Sequence, residues 1–98
     1  MKSGPRQSLK AIQLKALREI PGVGKSIAED LWNIGIRKVD DLKGRDPREL
    51  YDRSNREAGC VQDQCLLYVF RCAVYYAATP PDDRDDMLLK WWNWKDRE

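Results

Sequence analysis

The 98-residue sequence predicts an all-α protein, a compact bundle of about five helices. Apolar residues recur at helical spacing over most of the chain, no stretch alternates in the two-residue period of a half-buried strand, and strong helix start and stop signals divide the chain. The size suits one domain with one modest core. With 42% hydrophobic and 35% charged residues, the composition is that of a globular chain rather than a disordered one.

Each element has its own signals. Leu9, Ile12, Ala16 and Ile20 form an apolar stripe with Lys15 and Arg18 on the far side. This first helix must end by Ile20, because Pro21 disfavours helical geometry in its predecessor. Ile27, Leu31 and Ile34 mark a second helix closed by Gly35 as a left-handed cap, with Ile36 as the apolar residue that follows. The stretch 39–42, VDDL, reads as a single helical turn. Asp46 and Pro47 are an N-cap and first-turn pair that open a helix running to Ala58, before Gly59. The next helix starts near Gln62 and carries Cys65, Leu66, Val69, Cys72, Ala73 and Tyr76 on one stripe. Leu67, Phe70 and Val74 lie elsewhere on its surface, so it belongs in the middle of the bundle. Thr79-Pro80-Pro81 stops it, and a charged turn leads to a short segment with Trp91, Trp92 and Trp94.

The run 65–78 is short for a membrane span and carries Arg71 in its middle, so a membrane is not an expected partner. The N-terminus lacks the apolar region of a signal peptide, and a cytoplasmic location is expected. Net charge is +2, but its distribution is uneven. Residues 1–25 hold six basic residues and one acid, and the remainder is slightly acidic. A local positive patch suits an anionic partner.

Residues 20–26, IPGVGKS, end like a nucleotide-binding P-loop. The P-loop reading fails because Glu19 stands where its first glycine belongs and a helix, not a strand, precedes the loop. A dinucleotide fingerprint fails too, with Ile27 in place of the third glycine. What remains is helix, Pro-Gly-Val-Gly, helix. The order Leu17, Ile20, Pro21, Gly22, Gly24, Ala28, Leu31 resembles the helix-hairpin-helix motif of SAM-like units. Its glycines permit a tight turn and leave no Cβ between backbone and ligand. Amides of the loop and of the next helix's first turn then point outward, where the helix dipole adds partial positive charge. The resemblance implies sequence-independent binding of phosphates in double-stranded or branched DNA. Gly22, Val23, Gly24, Lys25 and Ser26 would hold the phosphate, with Lys10, Lys15 and Arg18 as electrostatic help. A sodium or potassium ion at the hairpin carbonyls would suit that family; no other cofactor is expected. Glu29 and Asp30, one turn further on, are acids where a DNA binder would gain more from Lys or Arg.

The segments IPGVGKSIAEDLWNIGI, VDDLKGRDPRELYDR, CLLYVFRCAVYYA and WWNWKD extend the likeness. Together they resemble the pathogenicity-locus family of small bacterial proteins, some of them labelled mitomycin-resistance proteins. This implies a single helical domain over 1–98: a flexible 1–8, the hairpin at 9–35, a degenerate second helical pair at 36–59, and a core helix with a tryptophan-rich end at 60–98. Residues 20–53 also resemble the small helical domains of recombinases and competence regulators, some of which bind DNA and some proteins. A protein-interaction module that keeps the hairpin as scaffold is therefore the second reading, with the tryptophan segment or the 47–58 helix as contact surface. The oligomeric state is open.

Other candidate chemistry is weaker. Cys60, Cys65 and Cys72 lack a fourth ligand and the chain has no histidine, so small buried hydrophobes are the better reading, with a site shared across a dimer left open. Asp82, Asp83, Asp85 and Asp86 lie in one turn and suit capping of the last segment better than a two-metal site. No nucleophile–base pair is visible, and no enzymatic activity is expected.

Overall fold

Ser8 opens the first helix, its hydroxyl accepting from the Ala11 amide at 3.1 Å. From there the computed structural model describes residues 8–95. Four α-helices follow in order: α1 (Leu9–Leu17), α2 (Lys25–Asn33), α3 (Pro47–Ala58) and α4 (Gln64–Ala78). A 3-10 turn at Val39–Leu42 joins α2 to α3, and three more, at Pro81–Asp83, Asp86–Leu89 and Trp91–Trp94, follow α4. No strand occurs among the described residues. Over the described residues the fold is all-α, with four α-helices rather than about five.

The missing fifth helix has a steric cause. In a 3-10 turn, side chains three apart are nearly eclipsed, so Trp91 and Trp94 share one side while Trp92 does not. Trp91 and Trp94 are half-buried and Trp92 is 54% exposed. An α-helical turn would have spread the three rings over a wider arc.

The first helix departs from its expected stripe. Leu9 and Ile12 are exposed, and the side turned toward the core carries Leu14 and Leu17. The α-helix ends at Leu17, and the next amides bond back three residues, Glu19 to Ala16 and Ile20 to Leu17, both at 3.2 Å. That tightening takes Ile20 out of phase with Leu9 and Ile12 and turns it into the core. The close of α2 follows expectation. Gly35 takes φ +96°, its amide reaches the Trp32 carbonyl at 3.1 Å, and the Ile36 amide reaches Leu31 at 3.0 Å. Leu31 and Ile36 are both buried, which completes a Schellman closure.

Asp46 caps α3 by accepting from the Arg48 amide at 3.0 Å, with Pro47 at the first position and Gly59 left-handed past its end. The fourth helix begins two residues later than expected. Asp63 is its cap, and Gln62 is instead tied to α3. The Gln62 amide donates to Asn55 Oδ1 at 2.9 Å, its side chain to Ser54 Oγ at 2.9 Å, and its carbonyl accepts from Tyr51.

The centre of the molecule is α4, packed on α3, on the 39–42 turn and on the tryptophan segment. Leu66, Leu67, Val69, Phe70, Cys72 and Ala73 are all buried. Arg84 closes the end of this helix, donating to the carbonyls of Tyr76 and Thr79 at 3.0 Å. Its guanidinium also lies 3.7 Å over the Tyr76 ring. Asp85 accepts from the Met87 amide at 2.9 Å and so caps the next turn, as its place in the acidic cluster suggested.

Candidate nucleic-acid interface

The two glycines of the loop do different jobs. Gly22 has φ +86°, a conformation that costs an L side chain about 1–2 kcal/mol. A Cβ there would lie 2.9 Å from Cδ1 of Trp91, so the absent side chain makes room for an indole. Gly24 is the N-cap of α2, with extended backbone and no side-chain hydrogen bond to the first turn. A Cβ at Gly24 would meet nothing within 4 Å. Only this second glycine leaves its open side free for a ligand.

Val23, between them, is buried, and its amide donates to the Ile20 carbonyl at 3.0 Å. That amide closes the turn and is already spent. The outward donors belong to the first turn of α2, whose opening amides have no partner inside the helix and no capping side chain. Lys25 and Ser26 stand exposed beside them.

The basic helpers separate. Arg18 and Lys25 line one groove between α1 and α2, together with Ala11, Leu14 and Glu29. Lys10 is committed elsewhere: its Nζ pairs with Glu29 at 3.4 Å and lies 4.4 Å over the Trp32 ring. Lys15 is exposed in the last turn of α1. The two acids past the loop are also accounted for. Glu29 has Lys10 as counter-charge, and Asp30 is partly withdrawn into a groove with Gly22, Ile27, Gln62 and Trp91. Burial, then Glu29, pushes the Asp30 carboxyl above its usual range.

Trp32 is the residue that sequence reasoning passed over. Its Nε1 donates to Gln13 Oε1 at 3.0 Å, and Arg37 stacks 3.7 Å over its ring while donating to its carbonyl. Lys10 and Arg37 thus flank an indole that locks α1 against α2. These two cations beside one tryptophan were visible in the sequence only as charges.

The cysteines correct one expectation. Cys72 is buried and its Sγ lies 3.5 Å from the Leu88 carbonyl, but Cys60 and Cys65 are exposed. Cys65 sits on the first turn of α4, beyond the edge of the core. Among the described residues no group of three or more His, Cys, Asp or Glu is placed to hold a metal ion. No helix among them is long and apolar enough to cross a membrane.

The pathogenicity-locus family, Cdd1, matches residues 10–98, from the first turn of α1 past the tryptophan segment. The chain belongs to the pathogenicity-locus family. One relative is the mitomycin resistance protein McrB of Streptomyces lavendulae, 35% identical over 78 residues, which cover 80% of this chain and 69% of the relative. No solved structure matches the pathogenicity-locus chain.

Proposed function

We propose that this protein binds DNA without sequence preference, through the loop and first helical turn at Gly24–Ser26 used as a helix-hairpin-helix. The observation that carries the reading is the N-terminus of α2, where a glycine cap leaves the opening amides uncapped and the approach to them open. Partial positive charge at that end favours an anion, and a phosphate brings acceptors for several amides. Lys25 and Arg18 flank the approach from the groove side. Phosphate contacts of this kind carry no sequence information, so they would give affinity and register only. A duplex would be bound in the roughly 10⁻⁴–10⁻⁶ M range of non-specific contacts.

The test is fluorescence anisotropy of a labelled duplex at low salt, wild type beside Lys25→Glu. Binding that falls at least about tenfold in the variant places a phosphate at the hairpin. Equal binding by both proteins removes the hairpin from the interface. A second reading, a protein-interaction module, is favoured by the exposure of Trp92 and Met87 on the C-terminal segment, 54% and 58% respectively. It predicts that Trp92→Ala abolishes capture of a protein partner while Lys25→Glu does not.

A further inference from the structure

Arg71 is the one strongly buried cation of the described residues, nine-tenths removed from solvent in the middle of α4. A charge in that position normally has a carboxylate beside it, because desolvating an uncompensated ion is costly. Here the guanidinium donates from Nη1 to the Trp94 carbonyl at 2.8 Å and stands 5.6 Å from the Tyr68 ring. Neither partner carries a negative charge. The ion pair found among the described side chains, Lys10 with Glu29, lies elsewhere.

Arg71 also lines a groove of about 540 Å³ between the start of α3 and the second half of α4. That volume is within the roughly 300–1,000 Å³ usual for small-molecule sites. Val74, Tyr75, Ala78, Pro47 and Trp94 give it apolar walls, and Arg48 brings a second cation to its edge. The rings of Tyr75 and Trp94 stand 5.5 Å apart at 47°, so two aromatic surfaces meet beside the buried charge. Asp46 is the acid at the rim, and its carboxylate is engaged by the Arg48 amide.

We propose that this groove binds a small, flat organic anion, its carboxylate or phosphate on the Arg71 guanidinium and its ring against Tyr75 and Trp94. A planar fork with unspent N–H groups suits either anion in bidentate fashion, and an aromatic body would use the apolar walls that a bare ion would not. The site is separate from the hairpin and does not depend on DNA being bound there.

The experiment is a two-dimensional ¹⁵N NMR titration of the full chain with phenyl phosphate, benzoate and inorganic phosphate in turn. The indole signals of Trp32, Trp91, Trp92 and Trp94 act as four local reporters. Saturable movement of the Trp94 signal, with that of Trp32 unmoved, is expected for at least one aromatic anion, and whichever of phenyl phosphate and benzoate binds more tightly identifies the anion. Inorganic phosphate should bind more weakly by about tenfold, since it leaves the ring walls empty. Arg71→Gln should weaken binding by about tenfold or more. Because Arg71 also holds the Trp94 carbonyl, Ala78→Phe serves as the second variant: it fills the groove from an exposed position and should block binding with the fold intact. No shift of Trp94 up to about 5 mM of any aromatic probe, or unchanged affinity in a folded Ala78→Phe protein, overturns the proposal. A Trp94 shift produced by duplex DNA alone would overturn it as well, by making the groove part of the DNA surface.

Discussion

At Gly22 and Gly24 the same residue type answers two different physical demands, and substitutions should separate them. Alanine at Gly22 must adopt a left-handed conformation and displace the Trp91 indole, so a loss of about 1–3 kcal/mol is expected in urea unfolding. Serine at Gly24 should do the reverse. Its backbone is extended and its surroundings are open, so a hydroxyl can cap the first turn of α2 and stabilise the fold by a few tenths of a kcal/mol, roughly. The same hydroxyl would occupy the amides offered to a phosphate. Gly24→Ser is therefore expected to be at least as stable as wild type and weaker on duplex DNA, and a variant with undiminished binding would count against the hairpin grip. Cys72 gives a residue-scale test that is independent of DNA. Burial pushes its thiol up to about 11, so the unfolded chain releases this proton at lower pH than the folded one does. Stability should be complete below pH 9 and fall as pH rises toward about 11. Tyr76, whose phenol burial also pushes up, adds to the loss, so Cys72→Ala should leave a shallower decline when the urea midpoint is followed against pH.

Between elements, the contact that fixes the candidate site is the seam between α1 and α2, and its key is Trp32. Replacing that half-buried indole by alanine removes the Gln13 bond and both cation contacts, and should cost about 2–3 kcal/mol. Phenylalanine keeps a ring for Arg37 and should lose about 1 kcal/mol, chiefly the hydrogen bond. Thermal unfolding of the two variants distinguishes this seam from a merely exposed tryptophan, which would show neither loss. The sequence made some of this organisation legible and hid the rest. Pro47 after Asp46, and Gly35 before Ile36, carry their meaning locally, because a cap is set by residues a few positions apart. The apolar coat of α4 likewise betrayed its central place. The buried side of α1 was hidden because Leu9, Ile12, Leu14 and Leu17 spread apolar surface round much of the helix, and only tertiary packing chooses among them. In the candidate site, the loop itself was readable from its Pro-Gly-x-Gly order. The division of labour between the glycines was not, since Trp91 reaches Gly22 from 69 positions away.

On the scale of the whole molecule, a net charge of +2 cannot draw DNA in by a broad field, so any binding must come from a small local cluster. The geometry sets the size of that cluster. One helix N-terminus with Lys25 and Arg18 beside it can neutralise two or three phosphates, whereas Lys10 is spent on Glu29 and Trp32. Counterion release then gives a slope of about −2 to −3 for log K against log salt. Between 50 and 200 mM salt the affinity should drop roughly 15- to 65-fold, against the far steeper loss of a protein with many phosphate contacts. Lys25→Glu should reduce the magnitude of the slope by about one or more, since it removes a cation from the few that act. Neutralising Lys10, already paired within the fold, should leave the slope nearly unchanged. A slope of about −6 or steeper would instead mean that basic residues well beyond the hairpin engage the backbone, and a slope near zero would mean that phosphates are not the contact at all.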